Sequence, residues 1–282
     1  MLGFVQDWWL DRKDARLIAE RVERFASADL LFVSFTKSGR TWVRVLLSNL
    51  YARRYGLSDK ELINAGNFHA LVPEIPRVHF APDIRLPYPE LGPAQVQATT
   101  RQQVVFLLRD PRDVALSLYF HVKHRAGPRE LRRKKIPLGA GEAGPDRFVL
   151  DEGYGAPRVI RYLNRWVEDA AELPTTLRLR YEDLLTDTRG ELERLTGFVG
   201  INAEPELLDE VVAFAAFQSM QAKERDGYFN SDRLGLTSTD DAASGKVREG
   251  KVGGHRDHLL PETVEALDRL VADRLDPRYG YL

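Results

Sequence analysis

Two short runs of almost unbroken apolar residues decide what this chain can fold into. They are Leu30-Leu-Phe-Val-Ser-Phe35 and Val104-Val-Phe-Leu-Leu108. A strand apolar on both faces belongs in the middle of a sheet covered on both sides, as parallel strands are. Each run ends in a polar loop and then a helix signal. Thr36-Lys-Ser-Gly39 precedes a helical stripe of Trp42, Val45, Leu46, Asn49 and Leu50, with Gly56 as a stop. Asp110-Pro111 supplies an N-cap and a proline at the first helical position, and the helix runs on through Val114, Leu118 and Phe120. Leu177-Arg-Leu-Arg-Tyr181 alternates as a further strand. This strand–helix alternation predicts an α/β fold: a three-layer α/β/α domain on a central parallel sheet, with a P-loop-like strand–loop–helix phosphate site. Ligands of such sheets sit beyond the carboxyl ends of the strands. Lys37 and Arg109 should therefore meet on one edge.

The rest of the chain adds helices at 11–26, where Leu17, Ile18, Val22 and Phe25 share a stripe, at 157–171, near 204–216 and at 261–275. Another opens at the capping box Thr188-Arg-Gly-Glu191. Residues 65–100 read as irregular with short elements. Residues 122–147, with Arg132-Arg-Lys-Lys135, read as a solvated loop, and 226–254 as a polar, glycine-dotted segment. No repeat or linker divides the chain, so residues 1–282 read as a single domain. The 41 basic and 42 acidic residues nearly cancel, so nothing global points to nucleic acid or a membrane surface. There is no cysteine, which excludes thiolate chemistry and cysteine metal sites. No run approaches the roughly 20 apolar residues of a bilayer span, and the amino terminus lacks a signal-peptide layout. The default location is the cytoplasm.

The loop Lys37-Ser-Gly-Arg-Thr-Trp42 combines a cation, two hydroxyls, a glycine and an indole at a helix start. Backbone N–H groups there attract anions. Lys37 suits a phosphate and Trp42 a base. The lysine comes before the glycine, unlike the G-x-x-x-x-G-K-[ST] order of a nucleoside-triphosphate loop. Arg109 follows its strand directly, and Ser117 lies eight residues later. A guanidinium and a hydroxyl so placed suit a second phosphate; a surface ion pair of Arg109 with Asp110 or Asp113 is the alternative reading. Lys246-Val-Arg248-Glu-Gly250-Lys251-Val-Gly253-Gly254 is either a phosphate-closing loop or a charged surface loop.

Taken in order, these motifs resemble the cytosolic-type sulfotransferases. Lys37-Ser-Gly-Arg-Thr-Trp42 is similar to that family's 5′-phosphosulfate loop. Arg109-Asp-Pro-Arg-Asp-Val-Ala-Leu-Ser117 is similar to its 3′-phosphate element, Tyr181-Glu-Asp-Leu to its Y-E-D-L strand end, Phe217-Gln-Ser-Met220 to its F-x-x-M segment, and Arg248–His258 to its closing loop. The resemblance implies 3′-phosphoadenosine 5′-phosphosulfate (PAPS) as co-substrate and 3′-phosphoadenosine 5′-phosphate (PAP) as product, with no metal. It implies in-line transfer of a sulfuryl group to a hydroxyl of a small-molecule acceptor. By the same resemblance Lys37, Ser38, Gly39, Thr41 and Trp42 line the 5′ side, Trp42, Tyr181 and Phe217 hold the adenine, and Arg109, Ser117, Arg248 and Gly250 hold the 3′-phosphate; Arg40 and Glu249, inside these two loops, are counted as further donor-site candidates. Lys37 stabilises the leaving oxygen and a histidine takes the acceptor proton.

His79, in Arg77-Val-His79-Phe, is the first choice for that base and His69 the second. His121, His124, His255 and His258 are expected to serve no catalytic role. Arg40 and Glu249 depart from the family pattern, and its dimer segment is not recognisable near 251–266, so homodimerisation by that route is open. Phe68, Phe80, Tyr88, Phe120, Tyr154 and Tyr228 are candidate acceptor walls. The Arg129–Lys135 run suits an acidic acceptor instead. Two other classes stay open: a P-loop kinase or NTPase, which magnesium dependence would reveal, and a non-catalytic nucleotide-binding relative.

Overall fold

The computed structural model describes residues 27–64, 66–82, 103–170, 176–231, 234 and 250–281. The first apolar run is strand β1 (Leu30–Ser34), wholly buried. Helix α1 (Arg40–Tyr55) follows and stops at Gly56 in the left-handed region. A short helix α2 (Asn67–Leu71) and strand β2 (Val78–Pro82) come next, where the sequence suggested mostly irregular chain. The second apolar run is β3 (Gln103–Leu108), then α3 (Pro111–His124). Asp110 caps α3 by accepting the Arg112 N–H, as Asp-Pro predicts.

Beyond α3 lie α4 (Pro128–Arg133), a 3₁₀ turn (Ala140–Ala143), α5 (Pro145–Leu150) and α6 (Ala156–Ala170). Residues 128–150 are thus not a solvated loop: Leu131, Lys134, Ile136 and Phe148 are buried. Strand β4 (Thr176–Arg180) leads into α7 (Tyr181–Thr186) and α8 (Thr188–Val199). The expected capping box is replaced: Asp187, one residue earlier, caps α8 by accepting the Gly190 N–H, and Glu191 pairs with Arg194. Helices α9 (Pro205–Phe214), α10 (Phe217–Arg225), α11 (His255–His258) and α12 (Pro261–Arg274) complete the described chain. The expected helix at 11–26 lies outside the described residues.

The strands form one parallel sheet in the order β2-β1-β3-β4. Alternation along each strand splits the core in two. Leu31, Val33, Phe35, Val104, Phe106 and Leu108 face α3, α5, α6 and α12. Leu30, Phe32, Val105 and Leu107 face α1, α8 and α9. That is the three-layer arrangement the two apolar runs require. The chain steps from β1 out to β2 and back to β3 on the other side, so the crevice between the β1 and β3 loops is the topological switch point, where such sheets take ligands.

Phe106 is buried in β3, with its ring 5.2 Å from Trp166 and 6.2 Å from Tyr162. Phe106→Ala should cost about 3–5 kcal/mol through lost burial and the cavity left behind. Urea denaturation should show a lower midpoint with an unchanged slope.

Candidate active site

Arg109, at the carboxyl end of β3, donates from Nη1 to the Lys37 carbonyl at 3.2 Å. Its guanidinium carbon lies 4.2 Å above the centre of the Tyr181 ring. The ends of β1, β3 and β4 therefore converge on one arginine, as the strand reading anticipated. Arg109 Nε is buried and has no hydrogen-bond partner among the described residues. Buried donors are rarely left unpaired, so an oxygen-rich ligand fits here.

The loop between β1 and α1 is held in an unusual shape. Lys37 has φ +74° and Gly39 φ +92°. Lysine in this region costs about 1–2 kcal/mol, and such strain concentrates at functional sites. At Gly39 only glycine fits: a Cβ would come within 2.5 Å of the Tyr181 ring. Gly39 is also the N-cap of α1 and provides no side chain to cap it. The first turn of this 16-residue helix thus starts beneath Tyr181 with its positive dipole end open to an anion. Ser38 and Thr36 are buried in the loop. Arg40 Nη1 reaches back to Ser34 Oγ at 3.4 Å, which turns its charge toward the end of β1.

Trp42 packs edge-on against Tyr181, with ring centres 5.9 Å apart. Its indole N–H donates to the Ala215 carbonyl at 2.8 Å. That bond ties α1 to the α9–α10 junction, where Phe217 begins α10. Gly250, at φ +58°, lies against the Phe217 ring, which an added Cβ would meet at 2.5 Å. Trp42 thus contacts Tyr181, and Phe217 contacts Gly250, with Ala215 linking Trp42 to the junction that precedes Phe217. Arg248 and Glu249 lie outside the described residues, as does Tyr88. Ser117 stands half-buried on α3.

Asp113, read from sequence as a partner for Arg109, is a latch for the closing loop. Its carboxylate accepts the Gly253 N–H at 2.8 Å and the His255 N–H at 3.1 Å, and His255 Nδ1 lies 2.8 Å away. Burial pushes its pKa up, but the His255 hydrogen bonds, the Arg109 charge and the Gly253 N–H outweigh it and hold the pKa below the usual carboxylate value. Asp110 pairs instead with Arg112 at 2.7 Å. Glu182, half-buried at the start of α7, accepts the Asp110 N–H and the Tyr281 hydroxyl, each at 2.9 Å. Burial pushes its pKa up.

The histidines separate by position. His69 Nδ1 lies 2.8 Å from the Ile75 carbonyl, near the Arg77–Asp29 pair at the amino ends of β1 and β2, away from Lys37. His79 is half-buried, the second residue of β2, in register with Leu31. His121 is on α3 and hydrogen-bonded to Glu130 at 2.9 Å. Of the expected acceptor walls, Phe68 and Phe80 belong to the core, with Phe80 stacked 4.8 Å from Phe32. Phe120 lies 5.3 Å from His258. Among the described residues no group of three or more His, Asp or Glu side chains could hold a metal ion, and no helix is long and apolar enough to cross a membrane.

The family model of the sulfotransferase domain matches residues 27–277. This chain belongs to the sulfotransferase family. Cytosolic sulfotransferase 12 of Arabidopsis thaliana is 25% identical over 275 residues, covering 92% of this chain and 80% of its own. Sulfotransferase 2A1 of Rattus norvegicus is 26% identical over 177 residues, 63% of this chain and 58% of its own. Among solved structures, mouse sulfotransferase SULT7A1 complexed with PAP shares the fold, with TM-score 0.59 and 18% identity over 88% of this chain and 84% of that one. Retinol dehydratase in a complex with retinol and PAP gives TM-score 0.58 and 17% identity over 88% and 81%. The chain is thus a PAPS-dependent sulfotransferase of cytosolic type, and the phosphate-ready loop of α1 and the unpaired Arg109 nitrogen fit that co-substrate.

What sequence reasoning missed was the pairing across the site. Asp113, Ser117 and His121 recur every four residues, so they share one face of α3. That spacing was the available signal. The Asp113 latch has a definite pH signature. With its folded pKa depressed, its contribution to stability is full above the unfolded carboxylate value of about 4 and is lost as pH falls below that through the folded value. Asp113→Asn should cost about 1–3 kcal/mol at pH 7, the scale of a damaged buried hydrogen-bond set. Thermal melts from pH 7 to pH 3 should show a shallower acid decline in the variant than in the wild type.

Proposed function

We propose that this sulfotransferase moves the sulfuryl group of PAPS to a hydroxyl of a small-molecule acceptor, with Lys37 stabilising the leaving 5′-phosphate oxygen. The observation that carries it is the junction of Lys37, Arg109 and Tyr181 at the switch point. In the reaction an acceptor oxygen–sulfur bond forms as the bond from sulfur to the bridging phosphate oxygen breaks. Negative charge grows on that bridging oxygen. A lysine and helix N–H groups already in place stabilise it without reorganising. Trp42, Tyr181 and Phe217 supply the adenine pocket, and Arg109, Ser117, Arg248 and Gly250 the 3′-phosphate site. The acceptor hydroxyl gives its proton to a histidine, a role the resemblance carries to His79. Retinol and androsterone in the retinol dehydratase complexes support an apolar alcohol as the acceptor class.

Calorimetric titration should show PAP binding to the wild type in the micromolar range or tighter, without added magnesium. Lys37→Ala should lower the transfer rate by about 10²–10³, the scale of losing one transition-state charge donor, while PAP affinity falls far less. A Lys37→Ala enzyme at wild-type rate would sink the assignment. Arg109→Ala should do the opposite: PAP Kd should rise about 10–100-fold, the scale of a lost charged hydrogen-bond set, with a smaller change in rate at saturating donor.

A further inference from the structure

The strongest unexplained feature outside the donor site is a half-buried acid–base cluster on α3 and the segment through α4. His121 Nε2 lies 2.9 Å from Glu130 Oε1, and the same carboxylate oxygen pairs with the buried Lys134 ammonium at 2.8 Å. Glu130 is held well below the usual carboxylate range, chiefly by its hydrogen bond from His121 and also by Lys134. An ionised carboxylate only accepts hydrogen bonds. Nε2 must therefore carry the proton, and Nδ1 presents its lone pair. Nδ1 is enclosed and has no hydrogen-bond partner among the described residues. A buried unpartnered ring nitrogen opposite a carboxylate-oriented one is the layout of a general base with its orienting group.

Position agrees with chemistry. His121 is one helical turn beyond Ser117 on the same face of α3. The Lys37 ammonium is close enough for its charge to act on the imidazole. His79, by contrast, is paired with Leu31, three residues short of the Ser34 end of β1 that leads to Lys37. Resting on the sulfotransfer reading, we infer that His121, through Nδ1, is the base that takes the acceptor proton, and that Glu130 is its positioning residue. The proton passes from the acceptor hydroxyl to Nδ1 as the oxygen–sulfur bond forms and the bridging oxygen leaves. The imidazolium then returns it to solvent.

The groups facing the ring also explain how its basicity responds to the donor. Burial pushes the His121 pKa down to about 4, Lys37 and Lys134 press in the same direction, and Glu130 opposes them. The free enzyme therefore keeps the ring neutral at pH 7. A donor phosphate placed beside Lys37 cancels one of the two opposing cations and strengthens the base when the acceptor needs it.

Two measurements on the full chain test this. Nitrogen-15 spectra of the histidine rings, with His121 assigned by His121→Gln, should show Nε2–H and bare Nδ1 in the free protein, and PAP should raise the titration midpoint by about one unit or more. An Nδ1–H tautomer, or a midpoint indifferent to PAP, overturns the inference, and no acceptor is needed to see it. Turnover of labelled PAPS with a phenol, a primary alcohol and a sugar follows. His121→Ala should lose about 10²–10⁴-fold in rate with unchanged PAP affinity, and His79→Ala should keep most of the rate. Glu130→Gln should slow transfer about tenfold or more and lower the His121 midpoint further, a shift that a merely structural role would not produce. Transfer intact in His121→Ala but lost in His79→Ala returns the role to His79 and leaves sulfotransfer standing. Failure of the wild type to bind PAP sinks the sulfotransfer reading and the base with it.

Discussion

The contact on which the site depends is Arg109 lying on the Tyr181 ring while donating to the Lys37 carbonyl. It joins the carboxyl ends of three parallel strands. A guanidinium holds this position because its flat face stacks on an aromatic ring while its edge keeps donors for oxygen. The same ring presses on Gly39, which fixes the entry of α1. One aromatic residue thus sets the arginine, the glycine turn and the edge of Trp42. The Lys37 backbone is held in the left-handed region within that frame.

Around this junction the polar groups are satisfied in a way that leaves selected gaps. Asp113 spends both oxygens on the closing loop, and Glu182 spends both on the strand ends and the carboxyl terminus. Arg109 Nε and His121 Nδ1 stay unpaired among the described residues. In a low-dielectric interior such gaps are costly. Both lie on elements that leave the switch point, one at the start of α3's approach and one three turns along it.

Much of the fold was legible because β1 and β3 are apolar on both faces, and only a covered parallel sheet accommodates such strands. The end of α1 at Gly56 and the cap of α3 at Asp110 were legible for local reasons: a left-handed stop and a side-chain acceptor. The cap of α8 was misplaced by one residue: Asp187 accepts the Gly190 N–H, and the Thr188 hydroxyl donates back to the Leu184 carbonyl instead of capping. The stretch 122–147 looked solvated because its charges dominate the composition. In the fold Leu131, Ile136 and Phe148 are buried, and so is Lys134, paired to Glu130, while Arg132, Arg133 and Lys135 stay exposed.

The sequence by itself determined the strand–loop–helix order, the meeting of Lys37 with Arg109, and the family, since each follows from local patterning and ordered motifs. Only the tertiary structure decided which charges face one another. Asp113 found the closing loop across about 140 residues rather than Arg109 beside it. His121 found Glu130 across a turn between helices. Long-range pairing depends on where helix faces land after packing, and a periodicity says which residues share a face but not what that face will meet.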